Sequence, residues 1–389
     1  MLACPSGTTG SPVTRRIDSS RQGSDGGGVA RLDLSESDVA RGRGAVSNPA
    51  GRFEAFQSVA FDDGWGSSEE RETFAQTSVT PERAKSIITY NESPDIGFDR
   101  SINPYRGCEH GCVYCFARPS HSYLGLSAGL DFETKIFAKT NAVELLETEL
   151  RKKTYEVNTI VLGVNTDCYQ PAERKLQLTR GLLEVLLACG HPVGTITKSA
   201  LILRDLDLWS ELAARKLAHV NVSVTTLNRE LARKLEPRAP TPEKRLEAIA
   251  GLTQAGVRVG VMAAPLIPGL NDHEMEAILA RAQEAGAERG GYVLLRLPHE
   301  VKGIFADWLQ VHAPGRAEHV MALVRETRDG KEYQAEFGTR MRGTGNYAEM
   351  MQKRFDVAVR RLGLNQAHES LDRTQFRPPQ KKKGQMQLF

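Results

Sequence analysis

The feature that most constrains the fold is a repeated alternation of short apolar segments with amphipathic ones. Six strands are predicted at Ile102–Arg106, Thr159–Val164, Val193–Thr197, Val220–Thr225, Val257–Ala263 and Tyr292–Leu297. Five helices are predicted between them, at Asn141–Lys152, Lys175–Ala188, Leu206–Lys216, Pro242–Ala255 and Asp272–Ala285. This alternation predicts a parallel sheet with right-handed crossovers, in an open or partial (βα)6 barrel of TIM type. The pattern alone also permits a doubly wound sheet.

The segments on either side of this α/β core, residues 101–300, differ from it in composition. Residues 1–45 are rich in Gly, Ser, Arg and Asp and are predicted to be a disordered N-terminal tail. Residues 46–100 are predicted to be an arm that packs on the core through aromatic side chains such as Phe53, Phe61 and Trp65. Residues 301–365 predict a C-terminal helical extension with a Gly-rich basic loop at 340–347, and residues 366–389 a flexible basic tail.

Composition limits the class of protein only weakly. The formal net charge of +3 over 389 residues is nearly balanced, so it neither favours nor excludes a nucleic-acid partner. Three of the six cysteines lie in one short loop and the others are scattered, which is not the pattern of a disulfide framework. Since no apolar run reaches the length of a membrane span, a cytoplasmic protein is expected.

The chemically most specific motif is Cys108-Glu-His-Gly-Cys112-Val-Tyr-Cys115, with the spacing C-x3-C-x2-C. Thiolates select zinc, copper(I) or iron–sulfur clusters. A closed zinc site or a protein-only cubane cluster needs four ligands, so three cysteines indicate a centre with one open position. A zinc site with His110 or His121 as the fourth ligand is the alternative that spacing alone leaves open.

Polar residues follow the predicted strands at their carboxyl ends. Thr166, Asp167 and Cys168 come after the second strand, and the positions after the third strand, in the fourth and in the next loop add Lys198, Ser199, Ser223, Glu236 and Arg238. Catalytic groups of such barrels lie at the carboxyl ends of the strands. These side chains are therefore expected to converge beside the cysteine loop.

These motifs together resemble a known family. The cysteine loop resembles the signature of the radical S-adenosylmethionine (SAM) superfamily. Further stretches resemble its spore photoproduct lyase-like (DNA repair photolyase-like) branch: Asn-Pro-Tyr-Arg-Gly, Thr-Asp-x-Tyr-Gln-Pro-x-Glu, Thr-Lys-Ser, Leu-Glu-Pro-Arg and Pro-Leu-Ile-Pro-Gly. They span residues 103–297, and residues 42–49 and 62–65 resemble uncharacterised members of that branch.

The resemblance implies the cofactors and their ligands. Cys108, Cys112 and Cys115 would hold three irons of a [4Fe–4S] cluster, and SAM would chelate the fourth. Reductive cleavage of SAM would give a 5′-deoxyadenosyl radical that abstracts hydrogen from the substrate, with electrons from a flavodoxin- or ferredoxin-like donor. The residues implied in SAM binding are Tyr114, Phe116, Thr166, Asp167, Lys198, Ser199, Ser223, Glu236 and Arg238.

One position departs from the branch. The lyase that repairs the spore thymine dimer carries a hydrogen-donor cysteine just before its Ser-Asp, where this chain reads Val164-Asn165-Thr166-Asp167. Repair of that lesion is therefore not expected. Cys168, on the other side of the aspartate, is a hypothetical substitute donor, although small buried thiols at strand ends are common.

The C-terminal residues Gln385-Met-Gln-Leu388-Phe389 resemble the peptide by which bacterial polymerases and repair proteins bind the sliding clamp. Gln385 would hydrogen-bond, while Leu388 and Phe389 would fill an apolar pocket. Lys381–Lys383 would favour nearby phosphates. Packing of this terminus on its own domain is the alternative.

Three functions fit the sequence. The leading hypothesis is a radical SAM enzyme that acts on nucleic acid, since only this explains the Lys-rich, clamp-like end. The second keeps the radical chemistry but moves it to a peptide or small molecule. The third is a non-enzymatic zinc or iron–sulfur module that binds nucleic acid, which leaves the polar strand ends without a role.

Overall fold

The computed structural model describes residues 42–53, 76–367 and 370–380, and the backbone of residues 15–16 and 56–57. The strands are β1 (Arg15–Arg16), β2 (Phe56–Gln57), β3 (Ser78–Glu82), β4 (Ile88–Tyr90), β5 (Arg100–Ile102), β6 (Tyr105–Arg106), β7 (Lys135–Lys139), β8 (Ile160–Leu162), β9 (Val193–Thr197), β10 (Ala218–Ser223), β11 (Arg258–Leu266) and β12 (Arg289–Leu294). The α-helices are α1 (Leu130–Thr134), α2 (Ala142–Leu150), α3 (Glu173–Leu176), α4 (Leu178–Ala188), α5 (Leu206–Ala214), α6 (Arg229–Leu235), α7 (Pro242–Gln254), α8 (Met275–Glu284), α9 (Val301–His312), α10 (Pro314–Glu326), α11 (Thr339–Arg342) and α12 (Gly345–Leu362). Short 3-10 helices occupy Arg118–Leu124, Ala200–Asp205 and Asp272–Glu274.

The central sheet has the order β12-β11-β10-β9-β8-β5-β4. Its six strands from β5 to β12 are parallel and follow one another in chain order, and β4 pairs antiparallel at one edge. A doubly wound sheet would reverse its strand order at a switch point, and no reversal occurs among these strands. The predicted open (βα)6 barrel is therefore confirmed: among the described strands the sheet does not close.

Two predicted elements are divided in the structure, and the bounds of several others differ by a few residues. The first predicted strand is divided, because β5 ends at Ile102 and β6 joins a separate three-stranded sheet with β3 and β7. Pro104, which lacks an N–H donor, lies at the break. The helix predicted from Lys175 is interrupted at Gln177, which adopts a φ of +50°. The Glu173 carboxylate there accepts the Thr179 N–H, at 3.1 Å, and so begins α4.

Two apolar cores position the carboxyl end of the sheet. The main core lies between the strands and the outer helices, with fully buried Leu182, Trp209, Ile249 and Ile278. A second core joins the cysteine loop to α9 and α10, which the sequence predicted only as part of a C-terminal extension. Phe305 and Trp308 of α9 belong to the core that also contains Cys112, Val113 and Tyr114. The extension is thus a structural support of the site.

The N-terminal segment contacts the core through its backbone and through buried side chains, among them Val46 and Ile87. The N–H groups of Gly44 and Ala45 donate to the Glu133 carboxylate at 2.9 and 2.8 Å. Phe53, expected to pack inward, is 58% exposed and lies against Tyr123 with ring centroids 5.0 Å apart. Phe61 and Trp65 lie outside the described residues, as does most of the predicted N-terminal tail.

The C-terminal segment 370–380 crosses the amino-terminal side of the sheet. The N–H of Arg377 donates to Cys189 O at 2.8 Å, and that of Asp372 to Lys216 O at 3.0 Å. Gln385, Leu388 and Phe389, the predicted clamp-binding residues, lie outside the described residues. In the described part of the chain, no helix is both long and apolar enough to cross a membrane.

The same segment covers a histidine that makes stability depend on pH. His191 is buried, its Nε2 lies 2.7 Å from the Tyr155 hydroxyl, and its ring contacts that of Phe376. Burial lowers the pKa of His191 from 6.5 to about 4. The folded state therefore resists a protonation that the unfolded state accepts. The contribution of His191 to the free energy of unfolding is fully present above pH 6.5. It is lost as the pH drops towards 4, by up to about 3 kcal/mol.

This is measured by urea unfolding at several pH values between 7 and 4. His191→Gln is expected to flatten the pH dependence of the unfolding free energy. His219, whose pKa burial also lowers to about 4, supplies a second contribution that remains. An unchanged slope in His191→Gln would contradict the assignment.

Candidate active site at the carboxyl end of the barrel

The cysteine loop follows β6 and is fixed by backbone contacts at both ends. The Cys108 N–H donates to Phe132 O and the Val113 N–H to Leu235 O, each at 3.0 Å. Gly107 adopts a φ of +76°, and a Cβ there would lie 2.9 Å from Phe132 O. This turn therefore requires glycine. The three cysteines therefore lie on one short backbone segment, and these hydrogen bonds hold that segment in place.

A buried ion pair supports the loop from below. Arg118 donates from Nε to Cys112 O at 2.9 Å and from Nη1 to Gly129 O at 2.8 Å, while Nη2 pairs with Glu133. Both charged side chains are fully buried. Because Glu133 also accepts the N–H groups of Gly44 and Ala45, one carboxylate joins the arm to the cysteine loop.

The run after β8 holds the loop from the side. Gln170, fully buried, accepts the Glu109 N–H at 3.0 Å and donates to Gly107 O at 3.1 Å. The amide thus replaces the backbone pairing that an irregular loop lacks. Arg238, predicted as a SAM contact, pairs with Glu109 at 3.1 Å and so attaches the loop after α6 to the same place.

Asp167 is the centre of a polar network next to the loop. Its Oδ2 lies 3.3 Å from His110 Nδ1 and accepts the Lys198 N–H at 2.8 Å, and its Oδ1 accepts the Thr197 hydroxyl at 2.7 Å. Burial opposes ionisation, but the His110 imidazole and these hydrogen bonds outweigh it and lower the pKa of Asp167 to about 2. Asp167 is therefore an anion that orders the carboxyl ends of β8 and β9.

A second network surrounds Glu236. Its buried carboxylate accepts the hydroxyls of Tyr114 and Thr225, pairs with Arg245, and lies 3.8 Å from the Lys198 ammonium. Burial raises the pKa of Glu236, and the Arg245 charge opposes this rise. The ammonium of Lys198 also lies 5.8 Å from the centre of the Tyr114 ring. Strand ends β9 and β10 thus contact the cysteine loop directly.

The other predicted residues differ in what their side chains do. Phe116, directly after Cys115, is 42% exposed, and we call the open side of the site next to it the mouth. The Thr166 hydroxyl donates to Tyr105 O at 2.8 Å, and the Ser199 hydroxyl accepts the Leu201 N–H at 3.2 Å, so both already have partners in the fold. Ser223 is buried at the end of β10.

Cys168 lies apart from the three loop cysteines. It is fully buried in the main core, with Sγ 3.4 Å from the Thr195 hydroxyl. Burial and the charge of Asp167 raise its thiol pKa. A role as hydrogen donor would need a path from this core position to the mouth, and it stays a prediction.

The donor set fits an iron–sulfur cluster better than zinc. Burial raises the pKa of all three loop thiols, and the Coulombic effect of Asp167 and of the other two cysteines adds to this at Cys108. Three thiolates in this place need a compensating cation, which metal binding supplies. Among the described residues, no three His, Cys, Asp or Glu side chains are close enough together to hold a single metal ion. Of the two histidines considered as the fourth ligand of a zinc site, His110 faces Asp167, and His121 Nε2 lies 3.0 Å from Lys135 O. In a cubane cluster, by contrast, each cysteine binds a different iron.

Sequence reasoning missed the residues that hold the ligands. Arg118, Glu133 and Arg245 were given no role from the sequence, and no local pattern marks them as buried. Gln170 belongs to the Thr-Asp-x-Tyr-Gln-Pro-x-Glu motif, but no role was predicted for its side chain. A charged residue directly after a metal-ligand loop, as Arg118 is, was the one usable signal.

The fold and the site together define a class: an open parallel barrel with a three-cysteine loop at its carboxyl end. The sequence profile of the radical SAM superfamily matches residues 102–282. An uncharacterised protein of Mycobacterium tuberculosis (strain H37Rv) is 40% identical over 230 residues, which cover 59% of this chain and 68% of that protein. The chain belongs to the radical SAM superfamily.

More distant similarities agree with this placement. An uncharacterised protein of Methanocaldococcus jannaschii is 29% identical over 194 residues, 49% of this chain and 69% of that protein. Among solved structures, spore photoproduct lyase complexed with dinucleoside spore photoproduct has a TM-score of 0.53 at 15% identity. The match covers 74% of this chain and 80% of the lyase. At this identity the likeness concerns the fold.

Proposed function

We propose that this protein is a radical SAM enzyme that binds a [4Fe–4S] cluster through Cys108, Cys112 and Cys115 and abstracts hydrogen from a nucleic-acid substrate. The observation that carries the proposal is the convergence of the buried thiols of Cys108 and Cys112 and the half-buried thiol of Cys115 with the Lys198–Glu236 network at the carboxyl end of the sheet. Once bound and reduced, the cluster would supply the electron that cleaves SAM to the 5′-deoxyadenosyl radical.

The chain's own residues bind and orient SAM. Lys198 offers an ammonium to the SAM carboxylate, and it is held near Tyr114 and Glu236. Ser223 at the end of β10 and Glu236 directly after α6 are the residues that would bind the ribose hydroxyls. Asp167, already bonded to Lys198 N–H and His110, acts mainly by fixing these groups in place.

The support from α9 and α10 excludes water from one side of the cysteine loop. Phe305, Trp308 and Val320 pack in the same core as Cys112 and Tyr114. A dry, rigid support holds the ligands at fixed separations, which a reactive intermediate requires. Phe116 is left at the open side, where a substrate would enter.

The test is anaerobic reconstitution with iron and sulfide, followed by dithionite and SAM. Iron and sulfide should be retained in nearly equal amounts, and 5′-deoxyadenosine should form. A preparation that binds zinc through four side chains, or a cluster-loaded preparation that leaves SAM intact, would refute the proposal.

A further inference from the structure

Three arginines near the mouth form no ion pair with a carboxylate of the described residues. Arg296 follows β12, Arg328 follows α10, and Arg342 ends α11. Arg328 is fully buried, and the Nε atoms of Arg296 and Arg328 are buried without a hydrogen-bond partner. Buried cations normally have a compensating group, so this excess positive charge needs explanation.

The three side chains meet around the short helix α11. Arg296 Nη1 lies 3.5 Å from Met341 Sδ, and Arg328 Nη1 donates to Thr339 O at 3.0 Å. Arg328 Nη2 donates to Leu295 O at 2.9 Å, which fixes the end of β12. Burial, then the neighbouring Arg296 charge, lowers the pKa of Arg328 to about 10, so it remains a cation at neutral pH.

The group extends from the cysteine loop to the surface. The guanidinium of Arg296 lies 5.4 Å from the centre of the Phe116 ring, one residue beyond Cys115. At the other end, exposed Arg342 lies 4.5 Å from the Tyr292 ring and donates to Gln352 at 2.8 Å. Arg340, between them in sequence, is neutralised by Asp95 and does not contribute. The charge therefore leads outward from the site.

Two exposed aromatic rings lie on segments that contact Glu300, in the same loop as Arg296. Tyr123 is 71% exposed and Phe53 58% exposed, and the guanidinium of Arg52 lies 4.9 and 5.5 Å from the Phe53 and Tyr123 ring centres respectively. Arg52 and Ser122 both contact Glu300, four residues after Arg296. Positive charge beside exposed aromatic rings is typical of single-stranded nucleic-acid binding.

We propose that Arg296 and Arg342, supported by the buried charge of Arg328, bind successive phosphates of a nucleic-acid strand whose target base reaches the site past Phe116. This inference rests on the proposed function and specifies how its substrate is held. A small carboxylate substrate would use one arginine at the mouth and leave Arg342 without a role.

The test measures binding of a fluorescein-labelled 12-nucleotide oligothymidylate to the anaerobic, cluster-loaded protein at several KCl concentrations. Arg296→Gln and Arg342→Gln should each weaken binding about tenfold. Each should make the negative slope of log K (the association constant) against log salt concentration shallower by about 0.7. Arg325→Gln is the matched control, since Arg325 already pairs with Glu332 at 3.6 Å, and it should bind like the wild type.

Four outcomes would overturn the inference. Both variants could bind the oligonucleotide as the wild type does, or polyglutamate could bind as tightly as the oligonucleotide. Arg296→Gln could instead weaken SAM and not the oligonucleotide, which would assign Arg296 to the SAM carboxylate. Circular dichroism checks that Arg296→Gln folds, and exposed Arg342 gives an independent reading if it does not. If the wild type forms 5′-deoxyadenosine but does not bind the oligonucleotide, this inference is refuted and the radical SAM chemistry of the proposed function stands. If it binds the oligonucleotide but leaves SAM intact, that chemistry is refuted and the phosphate contacts stand.

Discussion

Cys112→Ala is expected to abolish retention of the cluster and formation of 5′-deoxyadenosine. Cys112 is buried in the core that joins the loop to α9. Among the described residues, the two cysteines outside the loop, Cys168 and Cys189, belong to the main core and cannot replace it. Changes that only disturb the support of a metal ligand cost about 10- to 100-fold in metal affinity or activity. Loss of a ligand should exceed that. The measurements are iron content, absorbance near 400 nm (roughly the thiolate-to-iron charge-transfer region), and 5′-deoxyadenosine yield.

Cys189→Ala is the matched control. Its thiol is also buried, but it lies on the amino-terminal side of the sheet beside the segment 370–380. It should retain iron and SAM cleavage at wild-type levels, with only the loss of stability expected for a small core truncation. A Cys112→Ala protein that keeps both iron and product would show that the loop is not the ligand set.

Glu133→Ala is expected to lower the free energy of unfolding by about 3–5 kcal/mol, because it leaves the Arg118 charge buried without a partner. It also removes the acceptor of the Gly44 and Ala45 N–H groups. The cysteine loop then loses its support, so the iron retained after reconstitution should fall as well. Urea unfolding of the apoprotein and iron analysis measure the two effects.

Glu144→Ala provides the comparison for that prediction. Glu144 is exposed on α2 and its pair with Arg83, at 3.7 Å, lies in solvent. Exposed pairs contribute about 0–1 kcal/mol, so this variant should unfold close to wild type. Equal stabilities of the Glu133 and Glu144 variants would mean that the buried pair does not hold the loop.

The sequence predicted the barrel well because its two signals, the periodicity of the helices and the short apolar runs of the strands, are both local. Spacing of three and four residues in Leu182, Leu183 and Leu186 marks a helix face that packs on the sheet. The predicted strand Val193–Thr197 matches β9 at both ends. The predictions failed where long-range contacts decided the outcome. At Gln177 the helix is interrupted because the Glu173 carboxylate begins α4, and that carboxylate is itself held by Tyr105 and Arg204, which are 68 and 31 residues away.

The candidate site was predictable mainly in its cysteine loop. Three cysteines within eight residues imply a metal loop wherever the chain folds, because thiolate chemistry is a property of the residue type. The roles of the surrounding polar residues were less determined. Thr166 and Ser199 make hydrogen bonds within the fold, while Lys198 and Glu236 face the loop.

The sequence by itself determined the strand–helix order, the three-cysteine loop and the family. Only the tertiary structure decided what holds them: Glu133 contacts Gly44 from 89 residues away, and α9 packs beneath the loop. It also placed Arg296, Arg328 and Arg342 together around α11. The physical reason is that periodicity and ligand chemistry act within a few residues, whereas burial of a charge depends on which distant segments meet around it.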